Sequence, residues 1–269
     1  MTPRRQRKIE ELRKKGVYLL PNLVTTGNVF CGVFAIHAVL SKHYIGAAVM
    51  ILAAAFFDLL DGKIARMTRT ESHFGLEYDS LSDVISFGVA PGLLVYAWGL
   101  SIYGQLGGAA LFLYIACGAL RLARFNSYGV PSDIKGFIGL PIPAAAVLIA
   151  TLILLDDYIL HFGQELRPMV ILGITYALSF LMVSTFRYRS LKGFVLKRRT
   201  SFRMLVTTVL VLMIFIAAPQ VVSFSLILLY VLSGPFEKPI TALYRHFRPY
   251  PHGALPSDLK EAKDGGSTV

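Results

Sequence analysis

Long apolar runs separated by short polar segments constrain the fold of this chain more than any other feature. They lie at about 22–40, 45–60, 84–103, 109–120, 140–155, 169–186, 204–218 and 221–232. A helix needs about 20 apolar residues to cross a bilayer, and only helices and closed barrels satisfy their backbone hydrogen bonds there. The sequence therefore predicts an all-α integral membrane protein with about eight transmembrane helices. Its 16% of charged residues agrees, because soluble domains carry about 25%.

The basic residues indicate how these helices are oriented. With the N-terminus in the cytoplasm, eight spans place nearly all Lys and Arg residues on the cytoplasmic side and leave only Lys42 and Arg167 outside. Membrane proteins show this asymmetry because basic loops are retained in the cytoplasm. We therefore predict that both termini are cytoplasmic. The net charge of +11 then faces anionic lipids, and no nucleic-acid partner is expected.

The composition along the chain predicts one membrane domain with two flanking segments. Residues 1–16 form a basic cytoplasmic N-terminal segment, and residues 17–248 form the membrane domain. Residues 249–269 combine prolines, paired glycines and mixed charges, a composition typical of a disordered tail. The two cysteines, Cys31 and Cys117, lie inside apolar runs and are expected to be small buried hydrophobic residues.

Four carboxylates stand close together at the ends of the second and third apolar segments. Asp58 and Asp61 have i, i+3 spacing, and Asp79 and Asp83 have i, i+4 spacing, so each pair shares one face of a helix. Two helices joined by a short connection are antiparallel neighbours, which lets the pairs converge. Four like charges repel unless cations lie among them, and carboxylate oxygens suit Mg²⁺ or Mn²⁺. The sequence therefore predicts a divalent metal site.

Small and basic residues lie beside these acids. Gly62, Ala65 and Gly75 remove side-chain bulk, which lets a diphosphate approach the backbone. Arg66 can bind a phosphate with two hydrogen bonds. Any one of these residues, taken alone, is equally well explained by helix capping or helix packing. The grouping of four acids in two helical pairs favours the functional interpretation.

The spacing D-x2-D-G-x2-A-R-x8-G-x3-D-x3-D runs from Asp58 to Asp83 and resembles the signature of the CDP-alcohol phosphatidyltransferase family. The resemblance implies a helical membrane fold around a cytoplasm-facing polar cavity, two bound metal ions (Mg²⁺ or Mn²⁺) and a homodimer. It also implies a role for each matched residue: Asp58, Asp61 and Asp79 would be metal ligands, Asp83 the general base and a further metal ligand, and Gly62, Ala65, Arg66 and Gly75 the CDP-binding residues.

Three other segments, residues 21–32, 121–126 and 136–143, resemble the branch of this family that uses L-serine as the acceptor. This resemblance implies transfer of a phosphatidyl group from CDP-diacylglycerol to L-serine, giving phosphatidylserine and CMP. It also implies a bacterial inner membrane, with the active site facing the cytoplasm and the acyl chains of the substrate among the membrane lipids.

Polar residues in two of these segments are candidates for substrate binding. Asn22 and Thr25, near the start of the first span, would contact CDP or, as the alternative, form hydrogen bonds between helices. Candidates for binding the acceptor lie at the end of the fourth span and after it. An arginine there can hold a carboxylate, although arginines at span ends often reach towards lipid headgroups instead. These acceptor candidates are Arg121, Arg124, Asn126 and Lys135.

Other functions remain open from the sequence alone. The nearest alternative keeps the chemistry and changes the acceptor to glycerol 3-phosphate, inositol phosphate or choline. A cation-coupled transporter is more distant, because transporters place their sites at the membrane midplane between repeated halves. The acids here lie towards one membrane face, and no repeat is visible. A purely structural membrane protein leaves the four acids unexplained.

Overall fold

The computed structural model describes residues 3–68, 72–128, 137–163, 165–188, 213 and 216–247. Its helices are α1 Pro3–Leu40, α2 Tyr44–Thr68, α3 His73–Asp83, α4 Ala90–Trp98, α5 Gln105–Tyr128, α6 Ile142–Leu155, α7 Leu166–Val183 and α8 Pro219–Phe247. A π-helical segment, Val84–Val89, joins α3 to α4, and another, Asp156–Leu160, extends α6. A 3-10 turn, Leu100–Tyr103, follows α4. Strand β1 (Phe137–Ile138) pairs antiparallel with β2 (Arg187–Tyr188).

Within the described ranges, the helical segments that are long and apolar enough to cross a membrane number six: Pro21–Leu40, Tyr44–Met67, His73–Trp98, Gln105–Ser127, Ile142–Leu160 and Leu166–Val183. They confirm an all-α membrane protein and match the first six predicted spans. The seventh predicted span, residues 204–218, lies almost wholly outside the described residues. The eighth falls on the shorter apolar stretch Pro219–Pro235. The count of eight and the cytoplasmic termini therefore remain predictions.

The chain divides into two compact units, Met1–Gly234 and Pro235–Val269. The first contains the six long apolar helices. The second is described only from 235 to 247, where its backbone is helical. The predicted limits of the membrane domain are not tested by this division, and the predicted tail, residues 249–269, lies outside the described part of the chain.

Small residues bring α1 close to its neighbours. Ala35 of α1 and Ala47 and Ala48 of α2 are fully buried, as expected where helix backbones approach closely in a membrane. Gly32 of α1 faces the π-helical segment, and a Cβ atom at Gly32 would lie 2.9 Å from the Cα of Ser86. This close contact places the polar residues of α1 against α3, where two of the acids lie.

A proline explains why the third span is irregular. Pro91 near the start of α4 has no N–H to bond the carbonyl of Phe87 four residues earlier. The hydroxyl of the fully buried Tyr114 on α5 donates to that carbonyl at 3.1 Å. The π-helical segment begins directly after Asp83, so this irregularity lies next to the acids.

The variant Tyr114→Phe is expected to lower the stability of the fold. It removes the hydroxyl that donates to the buried Phe87 carbonyl, and an unsatisfied buried carbonyl costs about 1–3 kcal/mol. Thermal unfolding of the purified protein in detergent measures the effect. The control is Tyr158→Phe at an exposed position, which should change stability by less than about 0.5 kcal/mol. Equal melting temperatures for Tyr114→Phe and the control would contradict the explanation.

Candidate metal and catalytic site

The four acids lie on two helices, as the sequence predicts. Helix α2 continues beyond its apolar run to Thr68 and so includes Asp58 and Asp61. Helix α3 begins at His73 after the N-cap residue Ser72, whose Oγ accepts a hydrogen bond from the backbone N–H of Gly75 at 3.0 Å. This cap satisfies one free donor of the first turn. It starts the helix early enough for Asp79 and Asp83 to share its last turns.

Three of the acids converge. One carboxylate oxygen from each of Asp58, Asp61 and Asp79 lies within 4.8 Å of the other two. Asp61 is buried, while Asp58 and Asp79 are half-buried. In the described part of the chain, the one salt bridge joins Arg167 to Asp156, so no basic side chain there neutralises these three acids.

The three carboxylates fit a divalent cation. The Oδ1 atom of Asp79 is buried and has no hydrogen-bond partner among the residues that the structure describes. Buried polar atoms are rarely left unpaired. Three oxygen donors without a basic partner are the ligands that Mg²⁺ and Mn²⁺ prefer. A bound cation would neutralise the charge on phosphate oxygens during group transfer.

Asp83 lies beside this group, on the same helix as Asp79. It is not one of the three residues whose oxygens converge, but it interacts electrostatically with all three. Only 7% of its surface is exposed. The side-chain amide of Asn28 on α1 donates to its Oδ1 at 3.4 Å. Asp83 is therefore a buried acid held at the edge of the convergent group.

Helix α1 contacts the acids through its polar side chains. The hydroxyl of Thr25 lies 3.1 Å from Oδ2 of Asp61 and can donate to it, so the interhelical alternative for this residue is observed. A Cβ atom at Gly75 would lie 3.3 Å from Oδ1 of Asn22. Asn28 belongs to the polar residues near the start of the first span that the sequence marks for contact with a nucleotide or phosphate or for hydrogen bonds between helices. The packing of α1 on α3 decides that its partner is Asp83.

The other predicted CDP-binding residues surround the acids on α2 and α3. Gly62 is exposed, and no atom lies within 4 Å of the position that a Cβ would take. Ala65 is half-buried, and Arg66 is exposed near the end of α2. These positions leave room for a ligand near the acids. The assignment of this set to CDP remains a prediction.

The predicted acceptor residues have unequal surroundings. Arg121 is half-buried and interacts electrostatically with Asp83. Its Nε is buried and lacks a hydrogen-bond partner within the described ranges. Asn126 donates to the hydroxyl of Ser80 at 3.0 Å, which gives it a structural partner. Arg124 is exposed. Lys135 lies outside the described residues.

Two tyrosines that the sequence does not mark connect α8 to this region. Tyr230 of α8 lies within electrostatic range of Arg121, and its ring lies 5.7 Å from that of Tyr188. Burial, with a further contribution from Tyr230, raises the pKa of Tyr188 to about 12. The hydroxyl of Tyr188 therefore stays protonated and donates to the carbonyl of Val231 at 3.1 Å. Only the tertiary structure brings these residues together.

A group of carboxylates suited to divalent cations, at one end of a membrane helix bundle, defines a class of membrane enzyme that acts on phosphate-bearing substrates. The family model described as CDP-alcohol phosphatidyltransferase matches residues 18–181. The chain belongs to the CDP-alcohol phosphatidyltransferase family and is a transferase. The matched region contains all four acids.

Similar curated proteins point to one branch of the family. The chain is 43% identical over 176 residues to CDP-diacylglycerol–serine O-phosphatidyltransferase of Helicobacter pylori (strain J99 / ATCC 700824), covering 65% of this chain and 74% of that protein. It is 35% identical over 173 residues to the protein of the same name from Bacillus subtilis (strain 168), covering 64% and 91%. It is 39% identical over 176 residues to archaetidylserine synthase of Methanothermobacter thermautotrophicus, covering 65% and 71%.

Proposed function

We propose that this protein transfers the phosphatidyl group of CDP-diacylglycerol to L-serine, giving phosphatidylserine and CMP. The observation that carries the proposal is the convergence of Asp58, Asp61 and Asp79 within 4.8 Å beside the buried Asp83. This arrangement combines a site for cations with a separate carboxylate that can take a proton. The names of the similar proteins in Helicobacter pylori and Bacillus subtilis support serine as the acceptor.

The three convergent acids would hold Mg²⁺ or Mn²⁺, as two ions if Asp83 is also a ligand. The bound ions would supply positive charge to the diphosphate of CDP-diacylglycerol. The open space at Gly62 and the exposed guanidinium of Arg66 would let the nucleotide lie along the end of α2. Asn22 and Thr25 would line the site on the side of α1.

Asp83 would act as the general base. The hydroxyl oxygen of serine attacks the lipid-side phosphorus, and its proton passes to Asp83. The bond from this phosphorus to the oxygen of CMP breaks, and CMP leaves with the electron pair. Asn28, at 3.4 Å from Oδ1 of Asp83, would fix the orientation of the carboxylate. Positioning of this kind increases the reaction rate, because an oriented base needs no further ordering in the transition state.

Arg121 would bind the carboxylate of serine. Its Nε is buried without a partner in the part of the chain that the structure describes, and it lies within electrostatic range of Asp83. A guanidinium binds a carboxylate with two parallel hydrogen bonds. Serine held in this way would have its hydroxyl directed towards Asp83. Arg124, Asn126 and Lys135 would complete the acceptor site at its edge.

The proposal includes the location of the reaction. The site would face the cytoplasm of a bacterial inner membrane, where serine and CMP are dissolved and the acyl chains stay in the bilayer. The end of the bundle that holds the acids is also where the basic α1 enters its apolar span at Pro21, in agreement with the positive-inside rule. A homodimer is proposed from the family resemblance.

An acceptor assay tests the proposed function. Purified protein is incubated with CDP-diacylglycerol, Mg²⁺ or Mn²⁺, and one of four acceptors: L-serine, glycerol 3-phosphate, inositol phosphate or choline. Lipid product and CMP are expected in equal amounts with L-serine and divalent cation, and neither with EDTA. Product from another acceptor at a higher kcat/KM than with serine would refute the serine assignment. Turnover that is unaffected by EDTA would refute the metal site.

The variant Arg121→Lys is expected to raise the KM for L-serine about 10- to 100-fold and to leave the KM for CDP-diacylglycerol unchanged. Lysine keeps the charge but loses the planar pair of donors, and hydrogen bonds to charged groups are worth about 1.5–3 kcal/mol. Steady-state kinetics with each substrate varied in turn measures the change. Arg124→Lys, at an exposed position on the same helix, is the matched control. Equal effects of the two variants would contradict a special role for Arg121.

A further inference from the structure

A second polar cavity lies at the opposite end of the helices from the acids. Its volume is about 780 Å³, and it is lined by residues from the α1–α2 turn, the end of α4, the end of α6 and the start of α7. Tyr44 at its edge precedes Asp58 on α2 by fourteen residues, which corresponds to roughly 21 Å along a helix. The cavity is therefore separate from the proposed active site.

Arg167 provides a guanidinium held in place in this cavity. Its Nη2 lies 3.0 Å from Oδ2 of Asp156, and its guanidinium lies over the ring of Trp98, 5.0 Å from the centroid. Asp156 is buried, and its Oδ1 accepts a hydrogen bond from the backbone N–H of Phe162 at 2.6 Å. Both oxygens of Asp156 are thus engaged. The Nε of Arg167 is buried and finds no hydrogen-bond partner in the described ranges. About one third of the Arg167 side chain is exposed, so the guanidinium can still contact a ligand.

Two further lining residues have a backbone conformation that favours glycine. Lys42 and His161 have φ angles of 59° and 45°, and they are the non-glycine residues with positive φ in the described chain. Both line the cavity. A non-glycine residue in this region costs conformational energy, and such residues cluster at functional sites. A need for the lysine and histidine side chains in the cavity would explain why glycine does not occupy these two positions.

The basic residues at this end of the bundle lie around one cavity. Among the connections and adjoining helix ends described at this end, Lys42 and Arg167 are the lysine and arginine residues. Both line the same cavity, together with His43 and His161. In the predicted topology this end faces away from the cytoplasm, where basic residues are rare, so the presence of two around one cavity indicates a role for these side chains.

We propose that this cavity binds a phosphate group. Lys42 is in no salt bridge among the described residues and supplies a permanent positive charge, while the guanidinium of Arg167 matches phosphate oxygens in geometry. Arg167 and Asp156 neutralise each other, and the exposed Asp157 remains to receive a positive group on the same ligand. A lipid headgroup and a free phosphate share this chemistry. Trp98 lines the cavity, and tryptophan is enriched at membrane–water interfaces, so a zwitterionic lipid headgroup is the expected source.

The single tryptophan of the chain makes the proposal testable. Trp98 is the one tryptophan in the sequence and lines the cavity, so its fluorescence reports on this site alone. Full-length protein in neutral detergent is titrated with a short-chain phosphatidylethanolamine, with glycerophosphoethanolamine, with inorganic phosphate and with a short-chain diacylglycerol. We expect a saturable change with the phospholipid and none with the diacylglycerol. A saturable change with the soluble phosphates at the same affinity would assign the site to free phosphate.

Two outcomes would overturn the proposal. One is the absence of a saturable change with every phosphate-bearing compound. The other is an equal change with diacylglycerol, which has no phosphate and would indicate apolar binding only.

Variants separate the roles of the cavity residues. Lys42→Asn removes the charge but keeps a residue that tolerates positive φ, and it should weaken binding about tenfold. Arg167→Lys should weaken it by a similar factor. The control is Lys63→Gln, at an exposed position towards the other end of α2, and it should bind like wild type. Wild-type affinity in Lys42→Asn would refute the proposal even if Arg167→Lys does not fold. The readout involves no turnover, so its result is independent of the proposed transferase activity.

Discussion

Replacement of Asp83 by asparagine is expected to lower kcat about 10²- to 10⁴-fold, the usual contribution of a general base. Asparagine has nearly the same shape as aspartate but cannot take the proton of the serine hydroxyl. The fold should be retained, because the buried Asp83 accepts a hydrogen bond from Asn28, and the side-chain oxygen of asparagine can accept it as well. Single-turnover formation of labelled phosphatidylserine measures the chemical step.

Binding measurements separate a base from a metal ligand. If Asp83 acts only as the base, Asp83→Asn should bind Mn²⁺ and CDP-diacylglycerol as tightly as wild type. A parallel loss of Mn²⁺ affinity would show that Asp83 is also a metal ligand. Asn28→Ala is the companion variant, because it removes the contact at 3.4 Å and leaves the carboxylate in place. Wild-type turnover in Asp83→Asn would remove this residue from the chemistry.

Replacement of Asp79 by asparagine is expected to reduce kcat/KM by about 10³-fold or more. Loss of a ligand weakens cation binding, and several kcal/mol of charge stabilisation correspond to about this factor at 1.36 kcal/mol per tenfold. The Oδ1 atom of Asp79 is buried and unpaired within the described chain, so a bound cation would supply its partner. Mn²⁺ binding, followed by electron paramagnetic resonance, should be lost in parallel with activity.

The Asp79→Asn variant should be more stable than wild type in the absence of metal and less stable than wild type in its presence. In EDTA the carboxylates of Asp58, Asp61 and Asp79 lie close together without a cation, so removing one charge should raise the melting temperature. In excess Mg²⁺ the wild type gains about 2.7 kcal/mol at 100 times its dissociation constant, or roughly 5 °C, and the variant should not. Glu77→Gln, exposed on the same helix, is the control. Equal shifts in both conditions would contradict a cation site at these acids.

Several features of the fold could be predicted from the sequence because they depend on local patterns. The first six apolar runs give six membrane-length helices, since a bilayer requires long apolar helices whatever their neighbours. Around the acids the helices are longer than the apolar runs. The run expected at 45–60 extends to Met67, and the one expected from 84 begins at His73. Asp61 and Asp83 face the buried side of their helices, so the helices can include them without placing charge in lipid.

Other features depended on contacts between distant segments. The pairing of Asn28 with Asp83, 55 positions apart in the sequence, needs the close approach of α1 at Gly32. The π-helical turn after Asp83 follows from Pro91, but the donor that satisfies Phe87 comes from Tyr114 on α5. Side-chain partners of this kind cannot be read from periodicity, because a helical pattern specifies a face and not the residue opposite it.

The membrane helices and the grouping of the four acids follow from the amino-acid sequence alone, because hydropathy and helical spacing are local properties. The tertiary structure decided which acids converge: Asp58, Asp61 and Asp79 share one small volume, and Asp83 stands beside them in contact with α1. It also brought Lys42 and Arg167 to one cavity at the other end of the helices. The physical reason is that the charge on an isolated residue acquires a role only when packing fixes its distance to other charges.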